Sequence, residues 1–139
     1  MAEIKTNELG RVVLGVLFLG EEPPSAYYLG AGTGVMPTDP DTVLSDLTEV
    51  TGPGYARMLL TPGATDFPSL SLGSSGWSLT SLFKRFEADG AWDEITYVFL
   101  CDAASGTVGQ LFAMGDTDTF QATAGDAFDL AYQHTEFTG

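Results

Sequence analysis

Thr48-Glu49-Val50-Thr51-Gly52-Pro53-Gly54-Tyr55-Ala56-Arg57 is the stretch around which this chain is organised. Gly52-Pro53-Gly54 marks a sharp turn, because proline fixes φ and glycine accepts a positive φ without steric cost. The apolar run at residues 55–60 follows the turn and stops before Pro62-Gly63, which is typical of a short strand. The sequence therefore predicts an elbow that leads directly into a strand.

Arg57 stands out because the chain has only five Lys and Arg residues against 19 Asp and Glu. We expect its guanidinium to pair with a carboxylate, either within the subunit or across an interface. Arg57 is therefore a candidate structural or interface residue.

The composition limits the classes of function. A length of 139 residues fits one domain, and 44% hydrophobic residues are enough for a packed core. The net charge of −14 disfavours nucleic acid and anionic membranes as partners, since phosphate contacts need Lys and Arg. It also means that any oligomer must bury enough apolar surface to overcome repulsion between its subunits.

The first 25 residues are expected to form an N-terminal arm or short helix, and residues 26–139 a β-sandwich domain. Residues 6–14 favour a helix capped by Thr6 or Asn7, although a buried strand at residues 11–19 is the alternative. The apolar run at residues 12–19 is too short to span a bilayer, and the start of the chain is not typical of a signal peptide.

The remainder of the chain predicts antiparallel β-structure. Residues 95–101 form the strongest strand, apolar on both faces and therefore central. Residues 110–114, 119–123 and 127–132 read as three further strands, separated by turns at residues 115–118 and 124–126. The fold class is therefore mainly β, an antiparallel, jelly-roll-like sandwich built on a meander, with one or two short helices near the N-terminus.

The segments between the elbow and this block are less regular. Residues 26–30 predict a strand that ends in a flexible glycine turn at residues 30–34, and residues 43–47 predict a short helical turn capped by Asp41 or Thr42. Residues 61–76 predict a long loop with at most one extended segment. Residues 77–87 predict one strand with Trp77, Leu79 and Phe83 inward.

No catalytic or metal constellation is predicted. The one histidine, His134, lies in a polar tail, and the one cysteine, Cys101, is expected to be a buried small hydrophobe. One Cys and one distant His cannot fill a zinc site, and paired acidic residues such as Asp39/Asp41 and Asp116/Asp118 fit turns better than Ca²⁺ loops. The sequence thus predicts a protein that is not an enzyme and needs no cofactor. Two alternatives stay open: a carbohydrate- or receptor-binding β-module that uses its aromatic side chains, and an acidic-site hydrolase.

Several motifs together resemble small structural proteins of tailed-bacteriophage virions. Tyr28-Leu29-Gly30, Thr48-Glu49-Val50 and Gly54-Tyr55-Ala56-Arg57 follow a progression found in those proteins. The later blocks around Trp92, residues 95–106, Leu111-Phe112 and Ala124-Gly125-Asp126 continue it. The chain departs from that pattern at Gly106-Thr107 and Leu29-Gly30-Ala31.

The resemblance implies a β-sandwich that works as a virion component. The first implied role is a capsid decoration protein that binds the assembled shell, and the alternative is a tail or fibre component. It further implies a homo-oligomer, commonly a trimer, with the major capsid protein or another virion protein as partner. Tyr55 and Arg57 would then be fold elements, with Arg57 held by Glu49 or Asp102, and Trp92 would begin the later block, as a Trp does in those proteins. Residues 1–20 or the loop 61–76 are the predicted interface, since both hold apolar side chains outside the strand pattern.

Overall fold

The computed structural model describes residues 3–74 and 76–136. Mainly antiparallel β-structure with one N-terminal helix is confirmed. The elements, in chain order, are β1 (Glu3–Lys5), α1 (Asn7–Phe18), β2 (Tyr27–Gly32), a 3₁₀ turn (Leu44–Asp46), β3 (Met58–Leu60), β4 (Ser69–Gly73), β5 (Gly76–Thr80), β6 (Lys84–Glu87), β7 (Ile95–Cys101), β8 (Leu111–Phe120), β9 (Ala127–Leu130) and β10 (Gln133–Glu136).

A five-stranded antiparallel sheet in the order β1-β8-β7-β2-β3 forms the centre of the molecule. The prediction that residues 95–101 form the central strand is confirmed, because β7 lies in the middle of this order. Side chains cover the sheet on both faces. One core contains Leu29, Leu60 and Phe112, and the other contains Tyr97, Phe99 and Leu111. Burial on both faces explains why β7 is apolar at every position except Thr96.

Helix α1 confirms the helical alternative for the N-terminal segment and extends beyond the predicted residue 14 to Phe18. Thr6 caps the helix, since its Oγ1 accepts a hydrogen bond from the backbone N–H of Leu9 at 3.3 Å. The alternative of a buried strand at residues 11–19 is wrong. Before the helix, β1 pairs with β8, so the N-terminal segment contributes to the central sheet.

The prediction of a flexible turn at residues 30–34 is wrong for its first half, because Gly30 and Gly32 lie inside β2. Their neighbours across the sheet are Phe99 and Tyr97. A Cβ atom at Gly30 would overlap the ring of Phe99, and one at Gly32 would overlap the ring of Tyr97. These glycines are therefore needed for close packing under two aromatic rings.

Strand pairing in the second half differs from the predicted meander. Residues 111–120 form one continuous strand, so the turn predicted at residues 115–118 is wrong. The segment 77–87 is broken into β5 and β6, which belong to different sheets. Strand β9 pairs with β6 as a separate two-stranded sheet and does not continue from β8. The short sheets lie outside the central one and give a layered, sandwich-like arrangement.

The predicted turn at the elbow, the short helical turn and the extended segment in the loop 61–76 are all present in the structure. Gly54 has a φ of 84°, the left-handed conformation predicted for the turn, although β3 begins only at Met58. The helical turn predicted at residues 43–47 is present, but Asp46 caps it by accepting a hydrogen bond from the N–H of Val43. The region 61–76 contains one extended segment, β4, before β5 begins at Gly76.

Two predictions about the C-terminal part have different outcomes. Cys101 is buried and free, as expected for a small hydrophobe in a strand. The backbone of residues 133–136 forms β10, which pairs with β5, so this segment is not an irregular tail. The expectation that His134 is solvated concerns a side chain outside the described part of the structure.

Candidate functional site

Arg57 and Glu49 form a bidentate ion pair beneath the elbow. The Nε of Arg57 donates to Oε2 of Glu49 at 2.9 Å, and its Nη2 donates to Oε1 at 2.8 Å. The side chain of Arg57 is only 3% exposed and that of Glu49 is 27% exposed. Of the two carboxylates predicted to hold Arg57, the structure brings Glu49 to it.

Arg57 also binds the loop that follows β7. Its Nη1 donates to the carbonyl oxygen of Ala103 at 2.8 Å, and its Nη2 donates to that of Gly106 at 2.7 Å. The guanidinium carbon lies 5.3 Å from the ring centroid of Phe99, within the range of a cation–π contact. One guanidinium thus joins the stretch around the elbow, which contains Glu49, to the loop at residues 102–109, which is more than 40 residues away in sequence.

Tyr55 joins Arg57 and Glu49, and these three hydrogen-bonded side chains form what we call the Arg57 cluster. The Tyr55 hydroxyl donates to Oε2 of Glu49 at 2.7 Å and accepts a hydrogen bond from the N–H of Ala31 at 2.9 Å. Burial of the ring, and then the hydrogen bond to Glu49, raise the pKa of Tyr55 well above its ordinary value. Because the hydroxyl keeps its proton and its partners, it fastens the elbow to β2.

Trp92 packs beside Tyr55, with ring centroids 5.3 Å apart and planes at 88°. Its indole N–H donates to the carbonyl oxygen of Pro53 at 2.6 Å, which holds the elbow from the other side. Asp102 does not belong to the cluster. Its Oδ1 accepts a hydrogen bond from the N–H of Gln110 at 2.7 Å and closes the loop between β7 and β8.

The predicted acidic pairs, Asp39/Asp41 and Asp116/Asp118, have different outcomes in the structure. Asp39 accepts a hydrogen bond from the N–H of Asp41 at 2.9 Å within its own turn, whereas Asp116 and Asp118 lie in strand β8. Among the residues that the structure describes, no group of three or more His, Cys, Asp and Glu side chains could hold a metal ion. Asp39 thus has the role in a turn that its spacing indicates, whereas the turn role expected of Asp116 and Asp118 is wrong.

Two exposed apolar surfaces lie outside the Arg57 cluster. The first, the helix face, consists of side chains near the end of α1: Val13, Leu14, Leu17, Phe18 and Leu19. Leu17 is 66% exposed. The segment 12–20, which contains this face, has no charged residue. Isolated exposed apolar side chains are ordinary, but a contiguous group of this kind is a candidate interaction surface.

The second surface, the hairpin face, consists of Leu70 and Leu72 on β4 with Leu79 and Trp77 directly opposite on β5. Leu72 is 62% exposed and Trp77 is 48% exposed, so the predictions that Trp77 and Phe83 point inward are wrong. Alternation along residues 77–87 suggested a buried strand, whereas the hairpin projects beyond the central sheet. The sequence had indicated the loop 61–76 as a candidate interface because its apolar residues lie outside the strand pattern, and Leu70 and Leu72 of this region are exposed.

A groove of about 490 Å³ separates the hairpin from the helix. It is lined mainly by apolar side chains, among them Leu9, Tyr27, Phe67, Leu70, Leu79 and Phe112. The hairpin face borders this groove through Leu70 and Leu79, whereas α1 reaches it through Leu9, outside the helix face.

A scan against family models matches residues 6–138 to the family of the podophage GP4 fiber I protein gp80. The chain belongs to this family. The resemblance to structural proteins of phage virions is confirmed, because the family is described as a podophage fibre protein. No curated protein matches the chain. In the part of the chain that the structure describes, no helix is long and apolar enough to cross a membrane.

Proposed function

We propose that this gp80-family protein is a fibre subunit of a podophage virion and that it works by assembly with copies of itself and with neighbouring virion proteins, without catalysis. The family match over residues 6–138 carries the proposal, since its description names a fibre. Capsid decoration was the first role implied by the sequence motifs, but the fibre is the role that the family description supports.

The geometry of the Arg57 cluster supports a structural role. Both carboxylate oxygens of Glu49, the hydroxyl of Tyr55 and three guanidinium nitrogens of Arg57 are engaged in hydrogen bonds within the chain. Groups used in this way fix the elbow and the loop after β7 to the central sheet. A rigid fold of this kind suits a subunit that works by assembly.

The helix face supports self-association. A chain of net charge −14 repels its own copies over most of its surface, and an uncharged apolar patch offers a contact where this repulsion is weakest. Removing exposed leucine and phenylalanine side chains from water supplies roughly 1.5–3 kcal/mol for each one fully buried. We therefore place the homo-oligomeric contact, expected to be trimeric, at the helix face.

Immunogold electron microscopy of phage particles tests the location. Antibodies raised against this chain should label the fibres, and labelling over the whole surface of the capsid shell would instead support the decoration role. Particles assembled without the chain should lack the fibres that the antibodies label on wild-type particles, and they should keep an intact shell.

Analytical ultracentrifugation of the purified chain tests the assembly surface. Leu17→Glu places a carboxylate in the helix face and should shift the oligomer towards smaller species. Val35→Glu is the matched control, because Val35 is also an exposed apolar residue but lies outside both apolar surfaces. If both variants sediment like the wild type, the helix face is not the contact.

A further inference from the structure

Strand β4 forms an outer edge of the three-stranded sheet β10-β5-β4. Within the described residues it pairs only with β5, and all five of its residues are exposed. The outer N–H and C=O groups of such a strand can accept a further strand. Proteins usually block this kind of edge with a charged side chain, a proline or a bulge. Residues 69–73 contain neither charge nor proline, and their pairing with β5 runs without interruption from Ser69 to Gly73.

The charge distribution indicates what could bind this edge. Residues 67–83 are the longest uncharged stretch of the chain, with 17 residues between Asp66 and Lys84. These two flanking charges pair with each other, Lys84 Nζ lying 3.1 Å from Asp66 Oδ1. A basic or acidic partner would find no opposite charge on the hairpin itself. Two copies of this acidic chain, however, can approach each other there with little repulsion.

The order of side chains along β4 is self-complementary. Leu70 and Leu72 stand symmetrically on either side of Ser71. In an antiparallel pair of β4 strands centred on Ser71, Leu70 of one copy lies opposite Leu72 of the other, and the reverse contact is identical. A twofold interface requires this reciprocity. The paired leucines would also join the hairpin faces of the two copies, because Leu70 and Leu72 already share a face with Leu79 and Trp77.

We propose that the β4 edge is a strand-addition site for the β4 edge of a second copy, so that two three-stranded sheets join into one across a twofold axis centred on Ser71. The main-chain hydrogen bonds of the new strand pair provide attraction, and the leucine pairs set the register. The inference rests on the self-assembly proposed above but uses a different surface from the helix face. The helix face on α1 would hold the subunits of one oligomer together, and pairs of β4 strands would link such oligomers to one another.

Introducing a charged side chain at position 71 tests the contact, because Ser71 would face Ser71 of the second copy. Ser71→Lys and Ser71→Glu each place like charges directly opposite one another, and each should weaken pairing by up to about fivefold. An equimolar mixture of the two variants should restore pairing to at least the wild-type level, since Lys then faces Glu. The measurement is sedimentation equilibrium of the full chain in low salt, with each variant checked for a wild-type thermal melt. Ser74→Lys is the control, because it brings the same charge to the exposed tip of the hairpin but does not face itself.

The outcomes separate this inference from the proposed function. Recovery of pairing in the mixture, with Ser74→Lys behaving as wild type, supports the β4 contact. If both Ser71 variants associate as the wild type does, or if the mixture is no tighter than either variant alone, the β4 contact is refuted. In that case immunogold labelling of fibres would still support the fibre role. Recovery in the mixture combined with unlabelled fibres would refute the fibre role and leave the β4 contact standing.

Discussion

Replacing Arg57 with Ala should destabilise the protein strongly. The change removes the bidentate pair with Glu49 and the two hydrogen bonds to the carbonyl oxygens of Ala103 and Gly106. Removing one partner of a buried ion pair usually costs about 3–5 kcal/mol, because the remaining charge is left without compensation. Glu49 is 27% exposed, so water can solvate part of its carboxylate. We therefore expect a loss near the lower limit, about 3 kcal/mol of unfolding free energy.

A change of this size is readily measured. For a chain of this length, each kcal/mol moves the melting temperature by about 3–4 °C, so the expected shift is about 10 °C. Urea unfolding followed by circular dichroism gives the free energy directly. The protein concentration must be held constant, since association stabilises the folded state by mass action. Arg57→Lys should recover about half of the loss, because an ammonium group keeps the charge but lacks the planar fork.

Arg11→Ala is the matched control. Arg11 also makes two hydrogen bonds to a carboxylate, that of Glu21, at 3.1 and 3.2 Å. Its side chain is 63% exposed, and exposed pairs contribute only about 0–1 kcal/mol. The reasoning would be refuted if Arg57→Ala cost no more than Arg11→Ala in the same urea titration.

Three further predictions concern the core. Gly32→Ala should lose about 1–3 kcal/mol of unfolding free energy in urea, because the added Cβ overlaps the ring of Tyr97, whereas Gly10→Ala, which faces open space in α1, should gain up to about 1 kcal/mol. Burial raises the pKa of Cys101 above its ordinary value of 9.0, so the unfolded state releases this proton first and stability should fall as the pH rises above 9. In Cys101→Ala, the decline in unfolding free energy from pH 8 to 10 should be smaller than in the wild type, because only the buried tyrosines with raised pKa values, such as Tyr55, still contribute to it, and a decline equal to that of the wild type would contradict the assignment. Trp92→Phe removes the indole donor to the carbonyl of Pro53, which keeps its bond from the N–H of Asp89, and should lower stability by about 0.5–1.5 kcal/mol in calorimetry, while an unchanged melting temperature would show that the indole bond contributes little.

The local features of this fold could be predicted from the sequence alone. The run at residues 95–101 is apolar on both faces, and only a central strand buries both. Gly54 in the elbow has the left-handed backbone that its position predicts, and Thr6 caps the predicted helix. The charge balance likewise indicated that Arg57 would pair with a carboxylate. Each of these conclusions depends on residues close together in sequence or on composition.

The pairing of distant segments was decided only by the tertiary structure. Strand β9 pairs with β6 and not with β8, although its own alternation fits either partner. Arg57 reaches the carbonyl oxygens of Ala103 and Gly106, which are 46 and 49 residues away in sequence. Asp102, the other candidate carboxylate, instead caps its own loop. Trp77 is exposed because the β4–β5 hairpin extends beyond the central sheet. The physical reason is that periodicity fixes which side chains share a face of a strand, while the partner that covers that face depends on long-range contacts that leave no local pattern.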